Sequence, residues 1–390
     1  MLELLRPEDC CGCTACANIC GHGAITMEVD QKGFQYPKIN ESLCTDCGLC
    51  DRVCPIIGRK CMNLNQKNYK MIYAGRIKDD KALLESASGG AFWALASYVI
   101  SDGGIVFGAT YDYDMRVVHR GTDTLEGCRA FQGSKYSQSD TFQAFREIRS
   151  IVRSGRKVLF TGTPCQVDGL LRFLIKKYDN LLTMDVVCHA VPSPKIFADY
   201  ISYVNNRHKS RLSNLTMRDK TRHGWGHPYS YRYDFSDGKS LVDSCKVIDW
   251  GRIYFSRLVN RPCCHECKYT NLNRPSDISV ADFWDDRNLR PDLYSNKGTS
   301  LLIVNTSVGA SVLKLLSDKL QLLPVTEKEA MQPSLDCPTI DDHRSVIFWN
   351  DYAIYGFNYI LKKYFDDTPY QKCKNILKKI LSYFGIWHPK

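Results

Sequence analysis

The chain reads as an α/β protein: a mixed, mostly parallel sheet forms the core, preceded by a small α+β domain organised by cysteines. Two observations carry that reading. Cys10, Cys13, Cys16 and Cys20 follow the spacing C-x2-C-x2-C-x3-C; Cys44, Cys47, Cys50 and Cys54 repeat it, and Pro55 closes the second run. From residue 70 onward, short apolar runs alternate with amphipathic stretches as strand, helix, strand, helix, which implies parallel strands joined by right-handed crossovers. At 390 residues and 44% hydrophobic, the chain is long enough for two or three domains and a sizeable core. The expected division is a two-cluster domain at 1–62, a polar linker at 63–69, a core at 70–325 and a helical extension at 326–390.

The cysteine runs have the spacing of bacterial two-cluster ferredoxins, and so point to one-electron chemistry. A tight loop presents three thiolates at x2 spacing to a 4Fe–4S cube, and the fourth comes from the other run. Cys10, Cys13, Cys16 and Cys54 are therefore assigned to one cluster, and Cys44, Cys47, Cys50 and Cys20 to the other. A disulfide framework is the bland alternative, but no targeting segment precedes the runs and a reducing, cytoplasmic setting is expected. Zinc usually takes two C-x2-C pairs rather than two runs of four. Cys11 and Cys61 fall outside the spacing and read as spare thiols.

Along the core, Lys70–Arg76 predicts a strand, and Ser86–Ser101 a helix N-capped by Ser88 with an apolar face at Phe92, Leu95, Ala96 and Val99. Ile105–Tyr111 is the next strand. Lys157–Thr161 predicts a strand, Gln166–Lys177 a helix, Leu181–Val187 a second buried strand, and Pro194–Asn206 another helix. Cys165 and Cys188 then lie at carboxyl ends of parallel strands, the edge where open α/β sheets bind ligands. A hairpin turns at Ser236, Asp237 and Gly238. A helix over Trp250–Leu258, strands over Asp277–Phe283 and Leu301–Thr306, and a helix over Val308–Leu320 complete the core.

The formal net charge is +10. Three 4Fe–4S cores with their thiolates would offset roughly six of those charges, which leaves too little for a nucleic-acid-binding face. Of two local basic stretches, Arg207–Arg222 reads as a solvated face. The other is the C-terminus, where Ile376, Leu377, Ile380, Leu381 and Phe384 recur at helical spacing beside Lys372, Lys374, Lys378 and Lys379. It is either a helix packed on the core or a peripheral contact with an anionic membrane surface. No apolar stretch is long enough to span a membrane. No GxGxxG follows a strand, which removes a nicotinamide-binding reading, and no Ser–His–Asp or paired-carboxylate arrangement stands out.

Cys165, Cys188, Cys264 and Cys267 supply four more thiols at one expected edge, the number a third 4Fe–4S cluster needs. Cys263 makes a C-x3-C with Cys267 equally available. A low-pKa redox thiol at Cys165, or zinc on Cys264 and Cys267, are the alternatives. Cys128, Cys245, Cys337 and Cys373 read as ordinary buried thiols.

Several segments resemble the beta-subunit family of coenzyme F420 hydrogenases and dehydrogenases, whose coenzyme is a deazaflavin. They are SASGG (Ser86–Gly90), GSKYS (Gly133–Ser137), TGTPCQ (Thr161–Gln166), VCHAVPSP (Val187–Pro194), Gly224-Trp225, and the stretch from Arg261 to Trp284. They stand in family order; Ala190 replaces the usual glycine. The resemblance implies an iron–sulfur flavoprotein holding FAD on the α/β core and exchanging electrons among ferredoxin-type clusters, flavin and a hydride acceptor. It also implies partners: a ferredoxin-type electron donor or acceptor, a deazaflavin or other small-molecule substrate, and in some relatives a surface-polysaccharide biosynthesis setting. In that frame Ser88, Gly89 and Gly90 at a helix start supply N–H donors to the FAD pyrophosphate. Gly133, Ser134, Lys135 and Tyr136 add charge and shape, Thr161, Gly162 and Thr163 line the ring, and Asp282 bonds flavin or ribose. His189 is the candidate proton relay, with a structural histidine as its plain alternative. His223 and His227 flank Trp225 near the same edge. The expected function is a flavin-dependent iron–sulfur oxidoreductase; the rivals are a non-catalytic electron-transfer subunit and an assembly factor with vestigial clusters.

Overall fold

The computed structural model describes residues 6–58, 70–226, 230–284 and 290–366. The linker at 63–69, Cys61, His227, Cys373 and the basic segment Gln371–Lys390 lie outside the described residues. In the N-terminal module, β1 (Ile25–Val29) and β2 (Gln35–Ile39) form an antiparallel pair. Helices Ala15–Ile19 and Leu49–Val53 each begin inside a cysteine run, directly after a left-handed residue: Thr14 at φ 64° and Gly48 at φ 67°. The module's own apolar interior is small, built on Ala17, Ile25, Phe34 and Val53. A unit of this size needs a staple beyond hydrophobic burial.

The core is an eight-stranded mixed sheet. In chain order its strands are β3 (Met71–Ile77), β4 (Ile105–Tyr111), β5 (Val117–Thr122), β6 (Val158–Gly162) and β7 (Leu181–Val186), then, after a separate sheet, β11 (Ile278–Asp282), β12 (Ser300–Val304) and β13 (Leu320–Pro324). Their spatial order is β13-β3-β12-β11-β7-β6-β4-β5. β4, β6, β7 and β11 pair in parallel, while β5, β12, β3 and β13 add antiparallel at the flanks. β6 and β7 are buried along nearly their whole length, as central parallel strands covered on both faces must be. One face packs Leu95, Val99, Val106, Leu159 and Leu302. The other packs Phe107, Phe145, Phe160 and Phe173, and continues without a break into Cys11, Cys13, Ala15 and Val53 of the N-terminal module.

The separate three-stranded sheet, β8 (Leu212–Met217), β9 (Tyr231–Phe235) and β10 (Ser240–Val242), is antiparallel. It shares a core with helix Pro194–His208, Trp250 and the C-terminal residues Phe348, Ile360 and Phe365. The region after β13 is thus largely short helices, with helix Arg344–Tyr355 the longest described.

Ser88 does not cap a helix. A short helix, Asp80–Glu85, is capped by the Asp79 carboxylate, and the main helix runs Ala91–Ser101 with Gly90 (φ 83°) at its N-cap. The loop between them is clamped to the start of β12: Ser88 Oγ donates to Thr299 O at 3.0 Å, and Gly89 N–H donates to Ser300 Oγ at 2.8 Å. β5 carries no strong alternating pattern and forms because β4 offers it an edge.

Candidate iron–sulfur and electron-transfer site

The two cysteine runs enclose two cavities, and each draws from both runs. Cys10, Cys13 and Cys16 line the first together with Cys54, around about 330 Å³ of space. Cys44, Cys47 and Cys50 line the second together with Cys20, around about 450 Å³. The crossed assignment is what two-cluster spacing requires. The donor chemistry also fits. Burial pushes the thiols of Cys10, Cys16 and Cys54 up, so their ionised form needs a cation at the centre, which cluster iron supplies. Backbone N–H groups of Gly12, Ala17 and Ile57 point at the same sulfurs. Among the described residues, no three or more His, Cys, Asp or Glu side chains form a group suited to a single metal ion. The cysteines surround two volumes instead.

The cavities differ in setting. Cys10, Cys13, Cys16 and Cys54 are buried, whereas Cys44 and Cys47 are exposed. The inner cavity is covered by the core. Gly169, on helix Pro164–Leu174, packs so closely that an added Cβ would stand 2.9 Å from Cys13 Sγ. Arg261, with no exposed surface, donates from Nε to Cys10 O (2.6 Å), from Nη1 to Gln138 Oε1 (2.9 Å) and from Nη2 to Gln35 O (2.9 Å). Its guanidinium lies over Tyr36 at 4.4 Å and Phe34 at 5.3 Å. Thr141 Oγ1 donates to Cys13 O, and Arg146 to the carbonyls of Ala17 and Asn18.

Cys11, outside the ligand spacing, is buried in one apolar cluster with Cys13, and Cys165 packs against it. It joins the inner cavity to the second thiol group. Cys165 stands in the first turn of helix Pro164–Leu174, beside Thr163 Oγ1 at 3.2 Å. Cys188 follows β7 and feels Cys165, Cys267 and Cys263. Cys267 closes the turn Pro262–Glu266 and feels Cys165 and Cys263. Cys263 and Cys264 are neighbours in that turn. Cys165, Cys188, Cys263 and Cys267 thus lie within electrostatic reach of one another, without forming a group suited to a single metal ion. Arg274, buried against Asp185 at 2.6 Å and donating to Tyr269 O, ties the Cys267 loop to the end of β7. Of the remaining cysteines, Cys128 is buried as expected, but Cys245 and Cys337 are exposed.

The residues expected around a flavin fall on one sheet edge, where β3, β6, β7 and β11 end and β12 begins. Lys135 is turned inward: Nζ donates to Ala130 O, Gln132 O and Gly133 O, and burial lowers its pKa to about 7. Gly133 adopts φ 75°, and Ser134 follows it. Tyr136 stacks on Tyr254 with centroids 4.4 Å apart. Thr161 Oγ1 donates to Phe107 O, and its carbonyl lies 2.9 Å from Nε2 of buried His119. Gly162 and Thr163 enter the next helix, with Thr163 N–H donating to Gln166 Oε1 at 3.0 Å. Asp282 ends β11 and is bound by Arg218 and by Trp225 Nε1. His189 packs edge-on against Tyr254, with Nε2 3.2 Å from Thr339 Oγ1; burial lowers its pKa. His223 pairs with Asp243 on an exposed loop.

Sequence reasoning missed Arg261 and the bridging place of Cys11. It also treated Arg207–Arg222 as one solvated face, yet Lys220 is buried and Arg218 nearly so. The available signal was the alternation of β8 running straight into Arg218, which turns a charge run into a strand end.

Residues 155–328 match the family model for the C terminus of the coenzyme F420 hydrogenase/dehydrogenase beta subunit, and residues 9–56 match the 4Fe-4S dicluster domain. The chain is 27% identical over 320 residues to a coenzyme F420-dependent sulfite reductase of Methanocaldococcus jannaschii, covering 80% of this chain and 46% of that relative. It thus spans just under half of that protein's length. It is 22% identical over 343 residues to the F subunit of the F(420)H(2) dehydrogenase of Methanosarcina mazei, covering 82% and 86% respectively. A chain of the F420-reducing NiFe hydrogenase complex of Methanosarcina barkeri superposes with TM-score 0.45 and 17% identity over 75% of this chain and 90% of its own, too loosely to carry an argument. With the dicluster match at its front and the beta-subunit match behind it, the chain is similar, in this order, to the 4Fe-4S dicluster domain and to the C terminus of the coenzyme F420 hydrogenase/dehydrogenase beta subunit.

Proposed function

We propose that this protein is an oxidoreductase that exchanges single electrons with a protein partner at the exposed Cys44 and Cys47 face and a hydride equivalent with coenzyme F420 at the sheet edge. That it is an iron–sulfur protein of an electron-transferring oxidoreductase family follows from its two domain matches. The finer reading adds FAD, a third 4Fe–4S cluster held among Cys165, Cys188, Cys267 and either Cys263 or Cys264, and F420 as substrate. The names of the two relatives support that substrate. The observation that carries the reading is the shared apolar cluster in which buried Cys11 and Cys13 of the N-terminal module pack with Cys165 at the ligand edge of the core.

When bound, the clusters supply one-electron transfer, and FAD couples such steps to hydride-equivalent transfer. The chain's own residues do the rest. Helix Pro164–Leu174, Arg261 and Gln138 hold the inner cysteine loop against the core and keep water from it. Arg274 and Asp185 fix the Cys267 loop. His189, held by Thr339 and Tyr254, is the side chain placed to hold or release a proton near Cys188. No helix among the described residues is long and apolar enough to cross a membrane.

The test is anaerobic reconstitution with iron, sulfide and flavin quantified, followed by rapid mixing with reduced F420. The expected result is flavin near one per chain and bleaching of cluster absorbance on mixing. Full iron loading with no flavin, or clusters that stay oxidised, would overturn the reading.

A further inference from the structure

Arg218 follows β8 and carries two costs at once. Its backbone sits at φ 63°, a left-handed conformation that is strained for a non-glycine residue. Its side chain is 10% exposed, and Nη2 has no hydrogen-bond partner. Leaving such a donor unsatisfied forfeits the hydrogen bond it makes to water in the unfolded chain. The other end of the guanidinium is well held: Nη1 pairs with Asp282 at the tip of β11. Asp282 is in turn held by Trp225 Nε1 at 3.2 Å. Trp225 stacks on Trp284 with centroids 5.3 Å apart, and Arg218 Cζ lies 5.2 Å from the Trp284 ring centre. Trp225 is buried while Trp284 is 47% exposed, so the stack leads from the interior to solvent. The Tyr136 hydroxyl is the guanidinium's other neighbour. Beneath, Lys220 Nζ donates to the carbonyls of Leu83, Ser88 and Lys297, so this second buried cation is satisfied by the chain and is not the free donor.

A planar fork with one arm fixed and one arm free, beside a stack of indoles, matches a flat aromatic ring with hydrogen-bond acceptors along one edge. A phosphate would need converging N–H donors, and here Gly89 N–H is spent on Ser300 and Lys135 on three carbonyls. We propose that Arg218, held by Asp282 and flanked by Trp284, binds the pyrimidine edge of an isoalloxazine-type ring through its free Nη2. This deepens the flavin reading above and rests on it. Asp282 then acts as the residue that orients Arg218, and the ring packs at the exposed side of Trp284.

The test uses the full chain, purified without oxygen and stripped of flavin, with cluster absorbance and circular dichroism as checks on folding. FAD, riboflavin and ADP are titrated into wild type, Arg218→Met and Trp284→Leu, with binding read by flavin fluorescence and by calorimetry. Trp284 is exposed, so its substitution leaves the fold intact. The expected result is FAD and riboflavin binding at least about tenfold weaker in Arg218→Met, by a similar factor for both, with ADP unaffected. Trp284→Leu weakens both ring ligands and restores part of their fluorescence. If wild type binds FAD and both variants bind it equally well, the Arg218 assignment fails and the flavin reading stands. If only ADP and FAD respond to Arg218→Met while riboflavin does not, Arg218 is a phosphate contact and the ring assignment fails. If wild type binds neither FAD nor riboflavin, both readings fall together.

Discussion

The loops Cys10–Cys16 and Cys44–Cys50 share one spacing and nearly one backbone course, yet they live in different surroundings. Gly12 and Asp46 occupy matching places, at φ 66° and 52°, and so do Thr14 and Gly48, at 64° and 67°. Each loop needs two left-handed residues to turn its thiols inward, and each spends its glycine at a different one. Above Gly12, Gln138 and Arg261 press so closely that a Cβ would meet Gln138 Nε2 at 2.6 Å and Arg261 Nη1 at 2.8 Å. Asp46 is exposed and meets no such neighbour. At Thr14 a side chain is useful, because its hydroxyl contacts Thr141 on the core at 3.1 Å. A Cβ added at the matching Gly48 would meet nothing within 4 Å. Chemistry sets the cysteines alike; docking against the core decides where the glycine must stand. The same difference separates their settings, since the covered loop faces the core and the bare one faces solvent.

The most severe way to break the comparison is to remove a crossed ligand. Cys54→Ser should abolish the inner cluster although Cys54 belongs to the second run, while Cys20→Ser should abolish the outer one. Iron content should fall by one cluster's worth, about four irons per chain, in each, and the coupled paramagnetic signal of the paired N-terminal clusters should become that of an isolated centre. Loss of the outer signal in Cys54→Ser would refute the crossing.

Arg261→Gln comes next. It leaves the Cys10, Gln35 and Gln138 acceptors poorly paired and removes a buried cation, at a cost of about 3 kcal/mol in unfolding by denaturant. It should also make the inner cluster harder to reduce and leave the outer potential unchanged, as followed by an electrochemical titration of the two signals. Equal shifts in both would show that Arg261 acts through general loosening of the fold.

The finest probe is a pair of single methyl groups. Gly12→Ala adds backbone strain and a close contact with two side chains, and should cost roughly 2–4 kcal/mol. Gly48→Ala adds strain alone, about 1 kcal/mol. Urea midpoints of the reconstituted proteins separate the two.

Much of the core was readable because central parallel strands are continuous apolar runs, and β4, β6 and β7 lie within a residue of where Ile105–Tyr111, Lys157–Thr161 and Leu181–Val187 suggested. Ser88 misled because a serine before an apolar helix looks like a cap, while here its hydroxyl is claimed by Thr299, more than two hundred residues away. Lys135 shows the same kind of distant information: the expectation is a charge added to the flavin site, and carbonyls of the preceding turn claim its Nζ. The Arg207–Arg222 run looked like solvated surface because composition does not report depth; Arg207 and Arg211 are exposed, and Lys220 is not.

By itself the sequence determined which thiols are available and in what spacing, because a loop of fixed length can present sulfur to a cube in few ways. It also determined the strand–helix alternation, because side-chain periodicity is local. Only the tertiary structure decided which cysteine run is covered, that Cys11 packs where the two halves meet, and that Arg261 is buried and Arg218 nearly so. Those outcomes depend on contacts between residues far apart in the chain, where a charge's partner rather than its neighbours sets its energy.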